Sequence, residues 1–426
     1  MPLCAGFAEA DITPPLGTHK IGWLIDIIGD QVADPLFARA AVFANGSQTI
    51  VFVQLDTLSV RWTQVNDIRR RVEQQFGIPG AGIMVSATHS HAGPAVANLG
   101  RVTRDEGYIE TLTCKCVEMV GKAFATRRPV EWGFGHTFNF LVAHNRRVVM
   151  RDGSARTHGN FGDPEALYPE GPIDPELAVL AARDLDGNLL GCLVNYSCHP
   201  THHGGDTVFS AGYPGVLARE MRAAGCPCTL YLNGAAGNLH TGDPIIMRDM
   251  GMEDAGTVLA ADVQRVLAEM SFNREATLDA RASTIQLPYR KVTKDEVGGY
   301  VRAAQRFVDP QSYIDGMPAL LARIEQRGTQ PVEAQVLTID NYAFAGIPAE
   351  YFVEHGLRIK TESYPRHALI VAQANGMIGY LPTRAAHTRS GYETTFAGSS
   401  RMAPEAGDLL ADAAIAVIKQ TTMATP

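Results

Sequence analysis

The sequence lacks the features that tie proteins to membranes, nucleic acids or disulfide frameworks. No apolar run reaches the roughly 18 residues that a membrane-spanning helix requires, and the N-terminus lacks the basic stretch and apolar core of a signal peptide. Acidic residues outnumber basic ones, 45 to 37, and the formal charge of -8 argues against a nucleic-acid partner. The seven scattered cysteines are typical of reduced thiols. We therefore expect a cytoplasmic protein with no nucleic-acid partner and no stable membrane insertion.

The sequence does have the composition and pattern of a large α/β protein. Hydrophobic residues make up 46% of the 426 and charged residues 19%, which is enough for a substantial core. Strand-like apolar runs alternate with amphipathic segments. Residues 49–55 predict a buried strand, residues 64–76 a helix and residues 83–87 a second strand. This strand–helix–strand unit leads directly to His89 and His91.

The same alternation recurs along the rest of the chain. Further strands are predicted over residues 189–197, 229–232, 334–339, 341–345 and 368–373, and residues 403–419 predict a closing amphipathic helix. We predict an α/β fold with a mixed β-sheet flanked by helices, as one large domain over residues 1–426. Residues 293–327 are polar and helical in pattern, which fits a solvated surface excursion, a helical lid or a dimer arm.

Polar clusters follow several of these strands, and the carboxyl ends of strands are where ligand sites gather in open α/β sheets. In the first cluster, His89 and His91 are two residues apart and would face one pocket if the segment is extended. A turn that caps a helix would explain the same residues.

The second cluster contains His199, His202 and His203, with Pro200 ending the preceding strand. Imidazole nitrogens and carboxylate oxygens suit zinc, and a catalytic zinc keeps one position open for water. A further anionic ligand is needed, and the pattern alone does not select it from 45 acidic residues.

Several motifs together resemble the neutral, non-lysosomal ceramidases, a family of zinc-dependent amide hydrolases. The most specific is THSHAGP at residues 88–94. The others follow in the family's order over nearly the whole chain: GFAEADITPP at 6–15, DPL at 34–36, VFVQLD at 51–56, HNRR at 144–147, GPIDPE at 171–176, HP at 199–200, GAAG at 234–237, IPAE at 347–350 and GYLPT at 379–383.

The resemblance implies a Zn²⁺ site and a set of catalytic residues at its edge. Its zinc ligands fall on the following four positions: His89, His199, Glu350 and Tyr380. His91 would line the pocket and move a proton to the leaving group. Arg146 would face the substrate carbonyl and stabilise the negative charge that develops on it.

Two departures from the family's pattern bear on the substrate. His240 stands where ceramidases carry a serine proposed to take part in catalysis, so we include it among the catalytic candidates. Gly212 stands where the family has an aspartate, for which Asp206 or Asp243 would have to substitute. We also expect the immunoglobulin-like domain of the secreted ceramidases to be absent, which argues against ceramide at a membrane surface.

The leading hypothesis is a zinc-dependent hydrolase, an amidohydrolase that uses a metal-activated water to cleave a linear amide in a small soluble substrate. One alternative is a zinc enzyme of the same fold that acts on a sugar-derived, lactone or ester substrate. The other is a catalytically silent metal-binding homologue. A homo-oligomer is compatible with all three.

Overall fold

Three β-sheets form the framework of the protein. The computed structural model describes residues 2–23, 25–99, 102–243, 245–246 and 248–422. The strands of the three main sheets follow one another along the chain: β1 Cys4–Asp11, β2 Phe37–Ala44, β3 Thr49–Leu55, β4 Ile83–Ala87, β5 Arg128–Pro129, β6 Glu131–Phe138, β7 Glu176–Arg183, β8 Leu189–Tyr196, β9 Thr229–Asn233, β10 Phe272–Asn273, β11 Leu278–Pro288, β12 Thr329–Ile339, β13 Tyr342–Ile347 and β14 His367–Ala372. Their spatial orders are β4-β3-β2-β1-β5, β9-β8-β7-β6-β10 and β11-β12-β13-β14.

Helices cover the outer faces of these sheets, and short strand pairs shape the loops. The helices are α1 Trp62–Phe76, α2 Glu106–Ala125, α3 Tyr213–Ala223, α4 Met252–Glu269, α5 Lys294–Gly298, α6 Pro310–Arg327, α7 Val353–Glu362, α8 Arg384–Arg389 and α9 Ala406–Gln420, with a 3-10 turn at Gly80–Gly82. The short strands are His19–Lys20, Ile27–Ile28, Gln31–Val32, Ala143–Asn145, Arg147–Met150, Ala155–Thr157, Ala166–Pro169, Val208–Phe209, Leu239–Thr241, Glu350–Tyr351 and Tyr380–Leu381. Within the described residues, none of the helices is both long and apolar enough to cross a membrane.

Each sheet contains one parallel pair of strands joined by a helix. The pairs are β3 with β4, β8 with β9 and β13 with β14, while the other strands pair antiparallel. The connecting helices are α1, α3 and α7. A parallel pair requires such a crossover, because its two strands run in the same direction. Both strands of each pair therefore end at the same edge of their sheet.

The inner faces of all three sheets meet in one apolar core. In β3, Phe52 faces this core, whereas Val51 and Val53 face α1 and α2, as the alternation of side chains along a strand requires. The ring of Phe52 packs edge-on against Phe344 of the third sheet, with centroids 5.0 Å apart. Burial on both faces explains why the central strands are continuous apolar runs.

Asparagines tie the strand ends of different sheets together. Asn195 donates from its amide to the carbonyl oxygens of Leu232 and Ile370, both at 2.8 Å, and so joins the second sheet to the third. Asn233 donates to the carbonyl of Thr88 at 3.2 Å, which joins the second sheet to the loop after β4. Buried polar side chains with satisfied bonds fix a single arrangement. The loops that follow these strands are thereby held close to one another.

The predicted α/β fold with mixed strands flanked by helices is confirmed, and its strands are divided among several sheets. Long strands such as β1, β7 and β11 were not predicted. Residues 293–327 contain α5 and α6 at their two ends and no regular helix between them.

Asn195→Ala tests the joint between the second and third sheets. We expect a loss of about 1–3 kcal/mol in the free energy of unfolding, because the buried carbonyl oxygens lose their donor. Denaturant unfolding measures it, with Asn341→Ala as the matched control, since Asn341 is exposed and donates one bond to Pro365. Equal losses in the two variants would contradict this role.

Candidate metal centre

Two histidines are fixed by backbone carbonyls in the loops after β4 and β8. His89 has a φ of 71°, an unusual conformation for a residue with a Cβ. Its backbone N–H donates to Thr57 at 3.0 Å, and its Nδ1 lies 2.7 Å from the carbonyl oxygen of Leu58. The Nδ1 of His199 lies 3.0 Å from the carbonyl of Ala236. A carbonyl only accepts, so both Nδ1 atoms carry the proton and both Nε2 atoms present a lone pair.

The two lone pairs face each other. The Nε2 atoms of His89 and His199 are 2.9 Å apart. The Nε2 of His91 lies 3.4 Å from the first and 3.1 Å from the second. Burial lowers the pKa of His199 and of His91 well below the usual range, with neighbouring cationic groups adding to the effect. The rings of His199 and His91 are therefore neutral, the form in which imidazole binds metals.

A carboxylate completes the cluster. Glu350 follows β13, and its Oε2 lies 3.3 Å from the Nε2 of His89 and 3.8 Å from that of His199. This oxygen is buried and has no hydrogen-bond partner among the described residues. A buried polar atom without a partner is costly. Lone pairs and a carboxylate oxygen directed at one point fit a cation, and a nitrogen and oxygen set fits zinc.

Tyr380 and Arg146 border the carboxylate. Tyr380 pairs with Glu350 in a short parallel strand pair, and its hydroxyl lies 3.2 Å from an Nη of Arg146. Arg146 is buried and donates to the carboxylate of Glu393 at 2.9 Å and to the carbonyl of Gly237 at 2.8 Å. These two acceptors hold the guanidinium in place beside the cluster.

His240 lies on a different side of the same cavity. Its Nδ1 is 3.0 Å from the carbonyl of Thr241, and its Nε2 is 2.6 Å from the hydroxyl of Thr201. Its ring packs edge-on against His158, with centroids 4.8 Å apart. Burial lowers the pKa of His240 well below its usual range, and His158 adds to this. A neutral His240 therefore donates from Nδ1 and accepts from Thr201.

The structure brings together the seven predicted ligand and catalytic residues, each lining one cavity of about 290 Å³: His89, His91, Arg146, His199, His240, Glu350 and Tyr380. His202 and His203 of the second cluster are not among the described residues of this lining. Neither Asp206 nor Asp243 is among the described residues of its lining. Asp206 instead pairs with His203 and Lys20. Gly212, at a φ of 67°, precedes the first turn of α3.

Aromatic and aliphatic side chains that sequence reasoning missed form much of the rest of the cavity wall. They are Trp23, Leu58, Leu99, Phe307, Val308 and Tyr313. Three of them belong to residues 293–327, so this segment borders the cavity. No motif marks them, because single apolar residues in loops look like ordinary packing residues. Only their position in the fold shows what they line.

A second group of possible ligands has a different explanation. His136 Nδ1 and His367 Nε2 each lie 2.7 Å from the same oxygen of Glu176. Lys360 donates to the other oxygen of Glu176 at 2.8 Å and also to Asp174. A lysine in this position already neutralises the carboxylate, and the group forms an ion-pair network between the second and third sheets.

Glu393→Gln tests the carboxylate that holds Arg146. Glu393 is fully buried between Arg146 and Arg147, whose charges hold its pKa at about 2 against the effect of burial. Removing its charge leaves the buried guanidinium of Arg146 without its ion-pair partner, for which we expect a loss of about 3–5 kcal/mol in unfolding free energy.

Denaturant unfolding at pH 7 measures this loss. The matched control is Glu131→Gln, because Glu131 also bridges two arginines, Arg183 and Arg274, which are more exposed. Exposed pairs contribute about 0–1 kcal/mol. Because the pKa of Glu393 is lowered in the folded state, its contribution is full above the unfolded pKa near ~4.3 and is lost as pH falls towards about 2. A loss for Glu393→Gln no larger than for the control would contradict the assignment.

Comparison with known proteins now adds to the geometry. No protein-family model and no curated protein matches the sequence. Among solved structures, neutral ceramidase from Pseudomonas aeruginosa matches with a TM-score of 0.76 and 20% identity, over 100% of this chain and 76% of that chain. A ceramidase complexed with C2 matches with a TM-score of 0.76 and 19% identity, over 100% of this chain and 77% of that one. The resemblance to the ceramidases is thus confirmed at the level of the fold, and the chain has a ceramidase-like fold.

Proposed function

We propose that the protein is a zinc-dependent hydrolase that cleaves an amide bond in a small soluble substrate. The observation that carries this proposal is the 2.9 Å distance between the Nε2 atoms of His89 and His199, which each present a lone pair. Beside them lies a buried carboxylate oxygen of Glu350 that has no hydrogen-bond partner in the described structure. Without a cation between them, these groups repel one another. The likeness to solved ceramidases supports a hydrolase that acts on an amide.

The residues that would hold zinc are His89, His199, Glu350 and Tyr380. Zinc bound there would supply a water of lowered pKa and would polarise a carbonyl group. The carbonyl acceptors of Leu58 and Ala236 keep the two imidazoles in the tautomer that exposes Nε2. Tyrosine is an unusual zinc ligand, and we expect Tyr380 to be the weakest of the four.

Arg146 and His91 have complementary roles in this proposal. Arg146 stabilises negative charge on the substrate's carbonyl oxygen. The carboxylate of Glu393 and the carbonyl of Gly237 accept from its guanidinium and keep it oriented before substrate binds. His91 delivers a proton to the leaving amine. Its Nε2 is as close to His199 as a fellow ligand would be, at 3.1 Å. The metal content of His91→Ala therefore separates proton transfer, where metal is kept, from coordination, where metal is lost.

The shape and lining of the cavity favour an amide with an apolar acyl group. Trp23, Phe307 and Tyr313 supply aromatic surface for such a group. Thr201 and His240 form a polar flank, where the hydroxyl oxygen of Thr201 can accept from a hydroxyl or N–H group on the amine side. This polar flank also favours the alternative of a sugar-derived, lactone or ester substrate, which would be hydrolysed without release of an amine.

Metal analysis and substrate profiling test the main proposal. We expect the purified protein to carry about one zinc per chain, and we expect His199→Ala and Glu350→Gln to lose both zinc and turnover. The matched control, His367→Ala, alters the second histidine cluster and should keep both. Release of free amine from N-acyl substrates, abolished by a chelator and restored by zinc, is the expected readout. Turnover that is indifferent to chelators would refute the proposal.

Tyr380→Phe tests the weakest ligand by removing one hydroxyl. Groups that only orient a ligand contribute about 10–100-fold to metal affinity, so we expect Tyr380→Phe to lower zinc affinity at least about tenfold and to lower kcat. Tyr392→Phe is the control, since its ring lies 5.7 Å from that of Tyr380 and lines the same cavity. Zinc affinity that is equal in the two variants would remove Tyr380 from the ligand set.

A further inference from the structure

A second cavity, of about 330 Å³, is surrounded by arginines. Four of them line it: Arg61, Arg104, Arg323 and Arg401. No residue belongs to the lining of both this cavity and the candidate metal centre. The arginines come from four separate parts of the chain, so the fold, rather than a basic run in the sequence, brings them together.

This cluster of positive charge has little compensation. No carboxylate is among the described residues that line the cavity. Arg104 pairs with the exposed Glu106 at 2.7 Å. In the described part of the chain, no ion pair is found for the other three arginines. The chain has 45 acidic side chains, yet none of those described lines this cavity.

Arg401 is the buried member of the cluster. Arg401 is 9% exposed, and its Nε has no hydrogen-bond partner in the described structure. One Nη donates to the carbonyl of Gly398. Burial lowers the pKa of Arg401 to about 10, and repulsion from Arg61 and Arg323 adds to this. A buried guanidinium without a counterion costs free energy that a bound anion would offset.

The first turn of α1 adds positive potential to the same cavity. Arg61 directly precedes this 15-residue helix, and Trp62 and Thr63 of its first turn line the cavity. The turn contains no acidic residue. The unpaired N–H groups and the dipole at a helix N-terminus favour anions. The guanidinium groups and the N-terminus of α1 therefore both favour an anion.

We propose that this cavity binds a compact oxyanion of the phosphate type, such as a phosphate monoester or a diphosphate. Guanidinium groups present paired N–H donors that match the oxygens of phosphate. Several arginines around one cavity suit a ligand with more than one negative charge. The same chemistry would be offered by a free phosphate compound and by the headgroup of an anionic phospholipid.

Titration calorimetry with inorganic pyrophosphate tests the site in metal-free protein, so that anion binding at the metal centre does not contribute. The variant is Arg61→Gln/Arg323→Gln, which replaces two partly or fully exposed members and spares the buried Arg401. We expect the double variant to bind at least about tenfold more weakly, since hydrogen bonds to charged groups are lost. Circular dichroism and thermal unfolding confirm that it is folded.

The matched control is Arg219→Gln/Arg281→Gln, which removes the same charge from exposed positions that do not line the cavity. It should bind pyrophosphate like the unmodified protein. Absence of binding to the unmodified protein, or equal binding by the double variant, would overturn the proposal. Neither outcome depends on whether the protein hydrolyses amides.

Sedimentation with vesicles distinguishes the two sources of phosphate. The vesicles contain phosphatidylcholine with or without phosphatidic acid. Capture that requires phosphatidic acid and is lost in the double variant supports a lipid headgroup as the ligand. Pyrophosphate binding without such capture supports a soluble phosphate compound.

Discussion

The candidate metal centre depends on two imidazole nitrogens, 2.9 Å apart, that each present a lone pair to the other. Such an arrangement is unfavourable by itself, and it persists because the surroundings leave neither ring free to turn. His89 is held at a positive φ and by two backbone bonds, and His199 by the carbonyl of Ala236. Unfavourable local geometry that the rest of the fold enforces is characteristic of functional sites.

The charges around this point favour a cation. Arg146 and Arg147 are matched by Glu393 and Glu170, in a network that is buried or nearly so. Glu350 is the third carboxylate of the group, and these two arginines are already paired with others. Arg389 also reaches Glu170, so the charge of Glu350 is the one that lies beside the imidazoles. Electrostatic attraction in a buried site is strong, so a divalent cation is well accommodated.

The sequence predicted the class of fold and seven candidate residues that the structure places on one cavity, but not the other residues that line it. Strands such as β3 and β4 could be predicted because burial on both faces makes them continuous apolar runs in the sequence. Long strands such as β11 are partly exposed and mix polar with apolar residues, so no clear alternation marks them. These seven residues could be named because the motifs of the resemblance contain them. Most of the aromatic wall depends on contacts between distant segments, which neither spacing nor composition records.

The three parallel strand pairs have a consequence for the assembly of the protein. His89 follows the pair of the first sheet, His199 extends from the pair of the second, and Glu350 and Tyr380 extend from the pair of the third. An ion bound by all four residues would link the three sheets. It would bind only after the three sheets have packed against one another. The free energy of metal binding would then add to the free energy of unfolding, so the stability of the packed sheets would depend on the concentration of free metal.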